Sequence, residues 1–350
     1  MQEEEKIKMF KDVFAPKSKE KVLLLVDMPH NNIKDNEKWS DRREMAKEWY
    51  HIFKKMGDEI GFSVDWMEYK ATGLNNKPVP KEILDLVHNS NLVLAMTEFS
   101  ATSSILPICR AEGSSTRGAS MPGIERRMEN SALKANYQDV KKYALAIEKL
   151  LNKSIGAEIL FSTNDILYID IRNRNAHADT GDCTKYGQGI NFPSGEAYKA
   201  PYEGASDEID KYGVSKTKGT LPVKYNGELI KFIIEENKIV KVDGKGKIAD
   251  ERRTFFNENE SRKNIAELGI GCNPKAIVTG NVLEDEKVSG LHIAYGLSTH
   301  LGGKVKSDVH QDICYPKGAP VEAKTLSLIS EDGSIIEIIN NAELRYEILK

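Results

Sequence analysis

Two successive grammars predict an α/β N-terminal domain with a mainly parallel sheet, residues 1–155, then a β-rich α+β metal-binding domain, residues 156–350. The first half alternates short apolar runs with amphipathic stretches of helical period, the pattern of strands covered by helices on both faces. The second half replaces most helices with hairpin signals, Asn226-Gly227 and Asp332-Gly333, each between strand-like runs. A chain of 350 residues is also long for one hydrophobic core, which favours two domains.

Residues 21–27 (KVLLLVD) form a continuous apolar run ending in polar MPHNN, as a buried strand does. Ser40 is the expected cap of the next helix, where Met45, Trp49, Ile52, Phe53, Met56 and Ile60 recur at helical spacing until Gly61. Residues 63–69 (SVDWMEY) predict a second strand, and Pro80 opens a helix through Val87. A strand over 91–96, a short helix over 105–112 and a strand in RGASMPG come next. Tyr137, Val140, Tyr143, Ala144, Ile147, Leu150 and Leu151 form one more amphipathic helix before the grammar changes.

In the second half, EILFSTNDILYIDI predicts two strands about a Thr-Asn-Asp turn. LPVKY, ELIKFII and NKIVKVDG predict three more, TLSLIS and SIIEII a further hairpin, and residues 250–258 a helix. Residues 173–204 are rich in glycine and polar side chains and lack periodicity, so they are expected to be a functional loop. Within it, Pro193, Gly195 and Pro201 constrain the backbone around Glu196.

Composition excludes several function classes. Apolar residues make up 40% and charged residues 29%, an ordinary globular balance. The formal net charge is −3 with dispersed Lys and Arg, so neither nucleic acid nor a membrane surface is an expected partner. No apolar run approaches the roughly 18 residues that span a bilayer. The polar start MQEEEKIKMF is unlike a secretory signal, and Cys109, Cys183, Cys272 and Cys314 form no CxxC pair; both point to a cytoplasmic protein.

The chemistry-bearing residues concentrate between Asn264 and Asp312. Glu267 is set among Ile265, Ala266, Leu268 and Ile270, and a buried carboxylate needs a cation or strong donors to stay ionised. His292 lies in GLHIAYG, where a lone histidine would more often be a satisfied core residue. His310-x-Asp312 changes that balance, because residues i and i+2 of a strand share a face and can reach one ion. Imidazole and carboxylate together suit Zn, Fe, Co or Mn. His300 is a possible neighbour of such a site, while His177, His30, His51 and His88 receive no role. Gly113, Gly118 and Gly123 are spaced wrongly for a phosphate loop, and no GxSxG nucleophile elbow occurs.

Five pieces in order, ASMPGI, NFPSGE, AELGIGCNP, LHIAYG and VHQD, resemble the thermophilic aminopeptidase family, the M29 metallopeptidases. That resemblance implies a commonly dimeric metallo-aminopeptidase, a hydrolase acting on peptides. It further implies that Glu196, Glu267, His292, His310 and Asp312 ligate one or two ions of Zn, Co or Mn. Glu196 or Glu267 would also act as general base toward a metal-activated water. The family's metal-facing tyrosine would fall at position 299, which here is Thr299, with Tyr295 and Tyr315 nearby. The same scaffold resembles ring-cleaving Fe(II) dioxygenases of hydroxypyridines, whose mononuclear site His310, Asp312 and one further ligand could form. A third reading is a metal-binding relative without activity.

Overall fold

A computed structural model describes all 350 residues. The fold is mixed α/β, with one parallel sheet and two antiparallel sheets. The chain divides into two compact units, the first built from Met1–Lys141, Asp179–Ser194 and Pro274–Glu284.

In the first unit the strands run in the order Ser63–Lys70, Lys21–Met28, Leu92–Ala95, Arg117–Ser120 and Gly189–Asn191, all parallel. The unbroken apolar run of the first strand has a direct explanation. Val22, Leu24 and Val26 enter the core under the helix Glu37–Ile60, and Leu23 and Leu25 enter the core under Lys81–His88 and Thr102–Arg110. A strand buried on both faces has no polar side to show.

Two expectations are corrected here. The long helix starts at Asn36, whose side chain accepts from Trp39 N at 2.9 Å, so Ser40 lies inside it and is exposed. Asn36→Ala is therefore expected to cost about 1 kcal/mol, seen as a lower urea midpoint, with Ser40→Ala near neutral. Equal midpoints for the two variants would refute that cap. The second correction concerns residues 173–204, which are not one structureless loop. They contain the strands Ala176–Asp179, Gly189–Asn191 and Glu196–Lys199, and the middle one completes the parallel sheet. Each is three or four residues long, too short for a period to register.

The second unit holds both antiparallel sheets. The larger has eight strands and includes the hairpin at Asn226-Gly227, where both residues adopt positive φ (48° and 86°), as a type I′ turn requires. The smaller runs in the order His310–Cys314, Gly290–Gly296, Ile265–Gly271, Glu196–Lys199 and Ala176–Asp179. One core draws on both sheets: Ile159, Leu167, Leu221, Phe232 and Leu326 from the larger, and Leu268, Ile270, Leu291, Ile293 and Tyr295 from the smaller. No helix of the protein is long and apolar enough to cross a membrane.

Candidate metal centre

The smaller sheet's other face gathers all five sequence-predicted ligands. Strand alternation explains how. In GLHIAYG the side chains of Leu291, Ile293 and Tyr295 enter the core, so His292, Ala294 and Gly296 point away from it. In HQDICY the same parity sends Ile313 and Tyr315 to the core and leaves His310, Asp312 and Cys314 on the outer face. Register then aligns them, with Glu267 and Asp312 both opposite Ala294, Gly296 opposite His310, and Glu196 opposite Gly271.

Glu267 reaches this face only through an irregularity. Ile265 is a core residue paired with Tyr295, and two positions on, Glu267 pairs with Ala294. The extra residue, Ala266, is a β-bulge that flips the parity of the residues after it. Without it, Ile265 and Glu267 would face the same way.

Small residues floor the site. A Cβ on Gly269 would lie 1.9 Å from His292 Nε2, so the imidazole occupies the space a side chain there would need. A Cβ on Gly271 would lie 2.2 Å from Val288 O and 2.6 Å from Glu286 O. The two glycines of ELGIG therefore admit, in turn, the His292 ring and the backbone leading into its strand.

The donor atoms fall into two groups, Glu196–Glu267–His292 and Glu267–His310–Asp312, in each of which they lie within 4.8 Å of one another. Glu267 belongs to both: Oε1 lies 3.3 Å from His292 Nε2 and Oε2 lies 3.2 Å from His310 Nε2. His310 Nε2 is also 3.6 Å from Asp312 Oδ1. His310 Nδ1 is 2.7 Å from Leu297 O, and a carbonyl only accepts, so Nδ1 carries the proton. Nε2 is thus left facing two carboxylates, an arrangement that calls for a proton or a metal ion between them.

The electrostatics lean the same way. Burial alone would raise the Glu267 carboxyl, but hydrogen bonds from His292 and His310 outweigh it and hold the group well below the carboxylate range. Burial alone would lower both imidazoles. Glu196 and Glu267 overcome it for His292, Asp312 and Glu267 for His310, and both rise well above the ordinary range. In addition, Glu196 Oε2 is buried and accepts no hydrogen bond, although it lies 3.3 Å from His292 Nε2. A carboxylate oxygen left unmatched beside converging lone pairs fits a bound cation. Nitrogen and oxygen donors without thiolate suit Fe(II), Mn, Co or Zn. Cys314 shares the face, but burial pushes its thiol well up and keeps it protonated.

Two residues of the centre escaped sequence reasoning. Lys287 Nζ, with its side chain 1% exposed, lies 2.6 Å from Glu196 Oε1 and 2.6 Å from Glu286 Oε1. Burial pushes Glu286 up to about 8, with Glu196 and Asp312 adding to the rise and Lys287 opposing it. Both belong to the EDEK run, which has the composition of a solvated turn. The only trace in the sequence is Gly271, which makes room for them. The remaining candidates sort simply: the His300 ring lies 4.7 Å from that of His310, and His177 is exposed. Tyr295 and Tyr315 are core residues, bonded to Gln311 and to Pro222 O, and neither supplies a phenol to this face.

No family model matches the chain. No curated protein matches it either. Among solved structures, the 2,5-dihydroxypyridine dioxygenase from Pseudomonas putida KT2440 is similar over 100% of both chains, with TM-score 0.72 and 16% identity. At that identity the likeness is one of fold. It nevertheless overturns the thermophilic aminopeptidase resemblance and, with it, the metallo-aminopeptidase and hydrolase assignments: short pieces in a shared order tracked the scaffold, and this solved structure on the same scaffold is a dioxygenase.

Proposed function

We propose that this chain is a mononuclear Fe(II) dioxygenase acting on a hydroxylated aromatic ring, with Glu267, His310 and Asp312 holding the ion. One coincidence carries the reading. A fold shared end to end with a dihydroxypyridine dioxygenase presents, on one sheet face, converging imidazole and carboxylate donors. The set differs from the two-histidine, one-carboxylate triad of many non-haem iron oxygenases. Here the second imidazole, His292, bonds the carboxylate instead of standing beside it.

Exposure supports this choice of the two donor groups. The side chains of His310 and Asp312 are 20% and 10% exposed, whereas His292 is 1% exposed. The outer group is therefore the one that two small reactants can approach. Fe(II) bound there would supply the redox-active centre at which dioxygen and an ionised ring hydroxyl are brought together. The chain's own contribution is orientation. Leu297 O keeps His310 Nε2 aimed inward, and His292 Nε2 donates to Glu267 Oε1 and so fixes the carboxylate.

Protein reconstituted anaerobically with Fe(II) and then exposed to oxygen is expected to consume one dioxygen per ring lost, with 2,5-dihydroxypyridine and dihydroxybenzenes as first substrates. Absence of uptake with every such ring, at one iron per chain, would exclude the reading.

A further inference from the structure

Lys287 is the group that the proposed chemistry leaves unused. It is a fully buried lysine beside the candidate metal-ligand cluster, and burying an ammonium is costly unless it is paired. Its Nζ bridges Glu196 Oε1 and Glu286 Oε1, both at 2.6 Å. Its backbone is fixed as well: Lys287 O accepts from Asn273 N at 3.0 Å, and the segment packs where Gly271 lacks a side chain.

We infer that the Lys287 ammonium acts as a resident cation in the Glu196–Glu267–His292 group and restricts the cluster to a single divalent ion. The inference rests on the reading of this face as a metal centre. Five ligand-type side chains form two three-donor groups around the shared Glu267, an arrangement with room for two cations. Lys287 touches the inner group, through Glu196. Charge supports the division. Glu196, Glu267 and Asp312 carry three negative charges, which one divalent ion and one ammonium balance. A second divalent ion would leave a buried positive excess next to a fixed lysine. Glu286, the outer partner of Lys287, is raised toward its neutral form by burial and does not enter this count. Lys287 thus does by covalent attachment what a second metal would do by binding, and the open group of His310 and Asp312 keeps the exchangeable ion.

Metal counting tests this without any turnover assay. Manganese(II) alone, titrated calorimetrically into the full chain, is expected to bind at one ion per chain in the wild type and at two in Lys287→Met, which keeps length but removes charge. Lys287→Arg is expected to remain at one. Two ions in the wild type, or one in a folded Lys287→Met, would overturn the role of Lys287 while leaving the oxygenase reading untouched. Should Lys287→Met not fold, Lys287→Gln, which also removes the charge and leaves every donor of the inner group in place, is counted instead: two ions are expected, and one would overturn the assignment. Binding of no ion to the wild type would remove the metal reading and this inference together.

Discussion

Glu267→Gln is expected to lower divalent-metal affinity by more than about 100-fold, because loss of even an outer partner of a metal ligand costs about 10–100-fold. Glu267 is the one residue common to both donor groups, with one oxygen facing each imidazole. The amide keeps the shape but removes the charge and turns one acceptor into a donor facing a histidine. Titration of metal-free protein with Mn(II) measures the effect. Wild-type affinity in the variant would show that the ion is not held here.

The same titration across pH should show affinity rising with pH in the wild type, since binding displaces protons from imidazoles whose affinity for them is raised. The metal-free protein has the opposite sign on its alkaline side. Histidines raised above 6.5 contribute stability that is complete below that value and disappears as pH climbs through the raised range. Glu267, lowered from 4.5, contributes stability that is present above that value and disappears as pH falls through its lowered range. The cluster's contribution to metal-free stability is therefore greatest between about 4.5 and 6.5. In Glu267→Gln the window should flatten on both sides, and melting temperature against pH checks it.

Gly269→Ala has the next largest expected effect. The added methyl would sit 1.9 Å from His292 Nε2, so the ring must leave Glu267. Overpacking of this kind costs about 1–3 kcal/mol of stability. Displacing a group that orients a ligand should also lower metal affinity about 10–100-fold. Because both losses act through His292, Gly269→Ala combined with His292→Ala should bind metal no more weakly than His292→Ala alone. Additive losses, or full affinity in Gly269→Ala, would separate the glycine from the site.

Much of this protein is legible without its structure, where the physics is local. KVLLLVD announces a strand buried on both faces because its five central residues, Val22 to Val26, are all apolar and leave neither face a polar side. Asn226-Gly227 announces its hairpin because both residues tolerate positive φ. His310-x-Asp312 shares a face because strand period is two, and Glu196, Glu267 and His292 elsewhere in the chain gave that pair its weight. The family resemblance misled for the complementary reason: short pieces in order report a scaffold, and a scaffold does not determine which reaction its site performs.

What tertiary structure alone decided is where parity or pairing depends on distant chain. The bulge at Ala266 turns Glu267 to the ligand face, and no residue type there encodes it; the register against Tyr295 and Ala294 does. Asn36 displaced Ser40 as the helix cap because the turn before the helix, and not the apolar period within it, sets the first orphan N–H groups. By composition alone, Lys287 is one charge among the four of EDEK. It became buried because strand pairing brought Glu196 opposite Gly271, and the missing side chain there let the segment carrying the lysine pack against the same carboxylate.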